Sequence, residues 1–264
     1  MENNPPVYYL NVSVRGYRAE VFVNGAPILH TPLETGYTAI PSVSEWMIEG
    51  RNEISVEIAA RAPVATTVDP DSPQRLIVQL CEGALGEMVT PGQEQVLCDI
   101  RHSPAQDLGP RPPARLLMTH TLAQWPRWAW QDAPVFATDE AADAELWTFL
   151  ESVHHELAEG RIDAVLAREG IKFAELGPLY GSSPAEAAAL TRSQFVELST
   201  LAPWSVAPLI REEILLRRCC GGRVVELRTL DGRAALRSGP TMQDAAWSLF
   251  AYVARINGLL EIIR

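Results

Sequence analysis

The sequence has almost no lysine and no long hydrophobic run. Lys172 is the only lysine among 264 residues, so nearly all positive charge is carried by arginine. No apolar stretch approaches the roughly 18 residues that a membrane-spanning helix needs, and we expect no membrane span. The 33 acidic residues exceed the 22 basic ones and give a formal charge of −11. Nucleic-acid binding is not expected, because phosphate contacts need clustered positive charge.

Cysteine is also scarce, and leader-like segments are missing from the start of the chain. Cys81, Cys98, Cys219 and Cys220 contain no CxxC pair, so a disulfide scaffold is not predicted. We interpret the adjacent pair Cys219-Cys220 as small apolar residues near a strand end, in preference to metal ligands. Residues 1–6 have neither a basic nor an apolar leader pattern. These features predict a reduced, cytoplasmic protein.

The motifs of common enzymes are absent as well. There is no G-x-S-x-G elbow, no phosphate-binding loop and no G-x-G-x-x-G. His154 and His155 are adjacent and would point about 100° apart on a helix, so they cannot chelate one ion together. His155 and Glu159 lie one turn apart, but no further ligand cluster accompanies them, and a polar helix face is the favoured interpretation. We therefore expect no catalytic residue, no metal and no cofactor.

The first half of the chain contains short runs in which apolar and polar residues alternate, as in half-buried strands. The first run has its apolar positions at Tyr8, Leu10, Val12 and Val14. A second run leads into Asn24-Gly25, which predicts a tight hairpin. Further runs bring the total to about seven strands separated by polar turns, which is typical of a β-sandwich.

Two stretches of this half, residues 21–25 and 48–56, share a recognisable spacing of glycine and asparagine. They resemble the V-N-G … G-x-N-x-I-x-V pattern of galactose-binding-like β-sandwich modules. The resemblance implies the fold, because its glycines and asparagines are residues that make turns. Sugar contacts in that family lie on variable loops, and no residue here matches them. Carbohydrate binding is therefore our least favoured hypothesis.

From about residue 139 the pattern changes to helices. Apolar residues at i, i+3, i+4, i+7 and i+11 predict one buried helix stripe. These residues are Leu146, Phe149, Leu150, Val153 and Leu157. A short helix over Ile162, Val165 and Leu166 is expected to end at Gly170. Ser183-Pro184-Ala185-Glu186 is a capping box that begins another helix. We expect that helix to bury Ala188, Phe195 and Leu198.

Three dipeptides towards the C-terminus predict hairpins, namely Gly221-Gly222, Asp231-Gly232 and Asn257-Gly258. The first would place Leu216 opposite Leu227, with Arg217 opposite Glu226. The second would place Leu227 opposite Leu236. The third would place Val253 opposite Ile262. Because residues 206–218 also fit a helix, the first of these strands stays open between strand and helix.

This order of helices and hairpins, with the closing run of residues 254–263, resembles the cone-shaped NTF2-like fold. The resemblance spans residues 139–264 and implies helices packed on a curled antiparallel sheet. Members of that fold include enzymes, binding domains and structural modules, so it leaves the function open. The sequence thus predicts a β-sandwich domain in residues 1–120, a Trp/Pro-rich connector in 121–138 and an α+β domain in 139–264.

Tryptophan is concentrated in the connector, at Trp125, Trp128 and Trp130. Tryptophan is enriched at binding hot spots, and it also packs linkers between domains, which is the interpretation we favour. With Trp204, these residues are the candidates for a ligand or partner surface. His154 and Tyr180 are further candidates for a pocket in the second domain.

Two functional hypotheses follow from these features. The first is a non-catalytic bacterial protein that binds another protein, for example an immunity or neutralising partner of an antibacterial toxin. An acidic surface would speed the capture of a basic toxin. The alternative is a small-molecule-binding protein or enzyme that uses the pocket of the NTF2-like domain.

Overall fold

The chain divides into two compact units, Met1–Arg127 and Trp128–Arg264. The computed structural model describes residues 6–31, 36–60, 74–86, 95–103, 112–240 and 246–264. Over these residues it is a mixed structure of antiparallel sheets and four α-helices. No helix in these ranges is both long and apolar enough to cross a membrane.

The described part of the first unit consists of strands in two antiparallel sheets. The strands are β1 (Pro6–Arg15), β2 (Tyr17–Val23), β3 (Ala26–His30), β4 (Tyr37–Ala39), β5 (Gly50–Ala60), β6 (Arg75–Ala84), β7 (Gln95–His102) and β8 (Ala114–Leu122). One sheet has the order β4-β1-β6-β7 and the other β3-β2-β5-β8. Leu10 and Val12 of β1 are fully buried, as are Val21 of β2 and Val56 of β5. Each sheet buries an apolar face, in agreement with the expected β-sandwich.

The predicted hairpin at Asn24-Gly25 is present between β2 and β3. Asn24 has φ 50° and Gly25 has φ 81°, the left-handed conformation that a type I′ turn requires at both central residues. The two strands are antiparallel, with a register shift between Val21 and Phe22. The local sequence therefore determines this turn.

Two asparagines of the resemblance pattern form a buried polar network. The Asn52 side chain is fully buried, and its amide exchanges hydrogen bonds of 2.8 Å with the backbone N–H and carbonyl of Ile48. The Asn24 amide donates to the Asn52 Oδ1 and to the carbonyl of Trp46, each at 2.8 Å. The Asn24 Oδ1 accepts the N–H of Glu53. These side chains join backbone segments of the first unit, so the two asparagines of the pattern have a structural role.

Asn52→Ala is expected to destabilise the protein by roughly 2–4 kcal/mol, because it leaves several buried hydrogen-bonding groups unsatisfied. The free energy of unfolding would be measured by urea denaturation with tryptophan fluorescence. Asn11→Ala is the control, since the Asn11 amide is only partly buried and donates to Gln79 at 3.4 Å. Equal losses of stability in the two variants would contradict a structural role for the network.

The second unit contains four helices followed by strands. The helices are α1 (Glu140–Ala158), α2 (Ile162–Ala167), α3 (Gly170–Leu179) and α4 (Pro184–Leu201). The strands are β9 (Ile214–Cys219), β10 (Val224–Thr229), β11 (Leu236–Arg237), β12 (Ser248–Leu249), β13 (Ala251–Ile256) and β14 (Leu259–Ile262). One antiparallel sheet has the order β14-β13-β10-β9, and β11 pairs with β12.

The helix predictions are largely confirmed. All five residues of the predicted α1 stripe are buried, and the Asp139 side chain caps this helix by accepting the N–H of Ala142. The capping box of Ser183 and Glu186 begins α4 as predicted.

Two expectations for the later helices need correction. In α4 only Phe195 is fully buried, whereas Ala188 and Leu198 are half-buried. Gly170 begins α3 and does not end α2, which stops at Ala167. The sequence analysis did not predict α3.

The predicted register of the first hairpin is confirmed, and the predicted register of the second is wrong. Leu216 lies opposite Leu227, and Arg217 opposite Glu226. At the next turn a bridge joins Arg228 to Ala234, so the loop has three residues and not two. Gly232, at its third position, has φ 85°, which is the usual geometry of a three-residue hairpin.

This longer loop shifts the register by one residue. After the bridge between Arg228 and Ala234, the segment that follows no longer pairs with β10, and Leu236 of β11 pairs with Leu249 of β12. The place beside β10 is taken by β13, which puts Ala251 opposite Leu227. The last hairpin has the predicted register, with Val253 opposite Ile262. The segment that was open between helix and strand is a short 3-10 turn at Arg211–Glu213 followed by β9.

Candidate functional site

Trp125 packs within the first unit. Its indole N–H donates to the carbonyl of Ser44 at 3.1 Å. Its ring meets the ring of Tyr8 edge-on, with 5.0 Å between the centroids. The side chain is half-buried, so part of it remains available to solvent.

Trp128 and Trp130 are both buried, with exposed fractions of 2% and 5%. Trp128 directly precedes a 3-10 turn at Ala129–Asp132, and Trp130 lies within that turn. The guanidinium of Arg264 lies 4.9 Å from the centre of the Trp128 ring. The structure therefore does not present either ring on its surface. Substitution of either residue would disturb the fold, so a loss of binding in such a variant would not identify a contact with a partner.

Trp204 and His154 fasten one segment, residues 202–209, to α1. The Trp204 indole N–H donates to the carbonyl of Leu157 at 2.7 Å, and its ring stacks on Trp247 with 5.0 Å between centroids. The His154 Nε2 donates to the carbonyl of Ala207 at 2.8 Å. Both side chains thus make structural contacts within the second unit.

The remaining polar candidates lie elsewhere. Tyr180 is half-buried directly after α3, where its backbone N–H closes the helix on the carbonyl of Leu176. His155 and Glu159 form an exposed ion pair with 3.1 Å between Nε2 and Oε1. Within the described ranges, no group of three or more His, Cys, Asp or Glu side chains is arranged to hold a metal ion.

Apolar side chains occupy the interior between α1 and the sheet. Leu227 and Leu236 are almost fully buried in this core, and Leu216 packs against it. Phe195 and Trp247 complete the same cluster beneath α4. A ligand site in this unit must therefore be sought at the surface.

An open cleft of about 440 Å³ lies between α1, α2 and β14 and is the candidate for such a site. Its lining is mainly apolar and includes three charged side chains. The residues are Phe149, Glu156, Ala164, Ala167, Arg168, Leu259, Leu260 and Glu261. We refer to it as the α1–α2–β14 cleft.

Arg168, at the end of α2, organises the cleft. Its guanidinium donates to both carboxylate oxygens of Glu156, at 2.8 and 2.7 Å, and to the Ser152 hydroxyl at 2.8 Å. It also lies 5.3 Å from the centre of the Phe149 ring. Its backbone carbonyl accepts the N–H of Ile262 in β14 at 2.9 Å. One residue thereby joins the three elements that form the walls.

The two carboxylates of the cleft differ in their surroundings. The hydrogen bonds from Arg168 hold the pKa of Glu156 below its ordinary value, despite burial. For Glu261, burial raises the pKa, and the charge of Arg168 opposes this only in part. Across the described residues, the Glu261 carboxylate makes no hydrogen bond or ion pair. Glu156 is therefore hydrogen-bonded within the protein, whereas Glu261 is half-exposed and interacts with Arg168 through charge alone.

The sequence analysis did not single out Arg168, Glu156 or Glu261. The available signal was Glu261 itself, a carboxylate between Leu260 and Ile262 in an otherwise apolar strand. The pairing of Glu156 with Arg168 depends on how α2 folds back on α1, which the helix patterns do not specify.

No known protein family matches this chain. No curated protein and no solved structure shows significant similarity to it either. The functional argument therefore depends on the geometry of the cleft.

Arg168→Met is expected to destabilise the protein by about 1–3 kcal/mol at neutral pH, since it leaves Glu156 without its cation in a partly exposed pair. Because the pKa of Glu156 is lowered in the folded state, its contribution is present above the ordinary carboxyl pKa and is lost as the pH falls through the lowered value. The stability difference between wild type and variant should therefore narrow on acidification.

Urea unfolding at pH 7 and at pH 4 would measure this difference. Arg192→Met is the matched control, because Arg192 pairs with Asp163 on the exposed surface and such pairs contribute little. If both variants lost the same stability, or if the difference did not change with pH, the structural role of Arg168 would be refuted.

Proposed function

We propose that this protein is a non-catalytic interaction protein that binds another protein at the α1–α2–β14 cleft. The observation that carries the proposal is the combination of an apolar lining with the half-buried carboxylate of Glu261, which no side chain in the described residues hydrogen-bonds. Leu259, at the tip of the β13–β14 hairpin, is 66% exposed and extends the apolar lining to the surface. An exposed apolar patch with a polar rim is typical of protein interfaces.

The state of the charged groups supports binding in preference to acid–base chemistry. A general acid or base must be able to exchange its proton with a substrate. The Glu156 carboxylate accepts two hydrogen bonds from Arg168, which also donates to the Ser152 hydroxyl. This pair acts as a brace between α1 and α2.

The net charge supports a basic partner. With a formal charge of −11, the chain attracts positively charged proteins and raises their rate of association. The specific version that we favour is a cytoplasmic bacterial immunity protein that neutralises a basic antibacterial toxin. Related genomes should then carry a toxin or secretion gene beside this one.

For the second unit we propose the NTF2-like fold. The order of its elements supports this, since α1 to α4 precede the antiparallel sheet β14-β13-β10-β9. The chain closes with the hairpin at Asn257-Gly258, which pairs β13 with β14 and lies in the run of residues that carries the resemblance.

The alternative is a small molecule bound in the same cleft. Its volume of about 440 Å³ lies within the range of roughly 300–1,000 Å³ that is usual for small-molecule sites. Its open shape favours a protein side chain over a ligand that must be enclosed.

The test is affinity capture from native lysate, followed by a binding measurement with the purified partner. Leu259→Ser is expected to weaken that binding about tenfold or more, as the loss of an apolar contact residue does at an interface. Leu230→Ser is the matched control, because Leu230 is 67% exposed but does not line the cleft.

A partner that binds wild type and Leu230→Ser, but binds Leu259→Ser weakly, would support the proposal. Equal binding by all three would place the interface elsewhere. Capture of no protein, together with a metabolite that co-purifies with wild type, would favour the small-molecule alternative.

A further inference from the structure

We propose that the α1–α2–β14 cleft receives an arginine or lysine side chain of the partner, which forms an ion pair with the Glu261 carboxylate. This inference rests on the proposed protein-binding function and specifies the chemistry of the partner. The occupant is a basic residue flanked by apolar residues on a protein segment.

The charged side chains that line the cleft do not balance one another. Three charged side chains line it, namely Glu156, Arg168 and Glu261, so the cleft carries one excess negative charge. Arg168 and Glu156 neutralise each other through two hydrogen bonds. The excess charge therefore lies on Glu261.

Glu261 lies among apolar neighbours. Its neighbours along β14 are Leu260 and Ile262, which pack in or against the core, and the side chain is half-buried. A carboxylate that is partly removed from water loses part of its hydration, and a cation that reaches it compensates for that loss. Burial raises the pKa of Glu261, and the charge of Arg168 offsets only part of this increase.

The apolar lining of the cleft also suits a basic side chain. Leu259 and Leu260 line the cleft together with Glu261, and Leu259 is largely exposed. Arginine and lysine have an apolar stem that packs on such a lining and a charged end that pairs with a carboxylate. Arginine can also bind a carboxylate through two parallel hydrogen bonds. We therefore expect a preference for arginine over lysine.

A direct test is an NMR titration of protein that carries ¹³C-labelled glutamate side-chain carboxyl groups. The probe is the peptide acetyl-Leu-Arg-Leu-amide, and its neutral control replaces arginine by citrulline, which has nearly the same shape. Glu261→Gln assigns the Glu261 resonance. We expect the arginine peptide to shift this resonance until it saturates. The dissociation constant obtained from the titration should be at least fivefold lower than that of the citrulline peptide.

Glu197→Gln provides the matched control, because Glu197 is an exposed carboxylate of α4 that does not line the cleft. This variant should retain the Glu261 response in full. Equal responses to the two peptides, or shifts spread over all carboxylates, would overturn the assignment of a cation site.

The purified partner distinguishes this inference from the broader function. Glu261→Gln should weaken its binding at least tenfold without loss of protein stability, because the substitution removes a partly desolvated charge. If Glu261→Gln binds normally while Leu259→Ser does not, the interaction function stands and the cation site is refuted. If neither substitution affects the partner, both proposals fail at this cleft.

Discussion

The paired hydrogen bonds between Arg168 and Glu156 hold the candidate site of this protein together. They connect the end of α2 to the middle of α1, and the Arg168 carbonyl continues the connection into β14. The cost of removing a partly buried ion pair from water offsets much of the attraction between its charges, so its net contribution to stability is modest. Its main effect here is geometric, because it fixes the walls of the cleft and withdraws one of the two carboxylates from other interactions.

The first unit uses polar contacts in a comparable way. Asn24 and Asn52 are typical turn residues in the sequence, and the structure shows why both are needed. Their amides satisfy backbone groups that a turn inside the sandwich would otherwise leave without partners. In both units a few buried polar side chains determine how segments of regular structure meet.

Local patterns predicted the elements of this protein better than their long-range pairing. The stripe of α1, the capping box at Ser183 and the turn at Asn24-Gly25 depend on neighbouring residues, and each is present. The prediction for the second hairpin failed because its loop contains Leu230 in addition to Asp231 and Gly232, and this extra residue changes the pairing of the strand that follows. Such a difference is not encoded in the dipeptide alone.

Helix α3 shows a second limit of the sequence. Gly177 and Pro178 within it are poor helix formers, yet a Cβ at Gly177 would lie 3.1 Å from the backbone of Ser182 and Pro184. Glycine is favoured there, because a side chain would push the closely passing segment between α3 and α4 by a few tenths of an ångström. The candidate site was likewise hidden, since Glu156, Arg168 and Glu261 become neighbours only through tertiary packing.

The alternation of β14 divides its side chains between two environments along one short strand. Leu260 and Ile262 pack in or against the core, whereas Leu259 and Glu261 do not belong to it. Under the proposed function, substitutions at the outer pair would change which partner is recognised while the inner pair keeps the fold intact. The specificity of the protein could then be redesigned at positions 259 and 261 without repacking its interior.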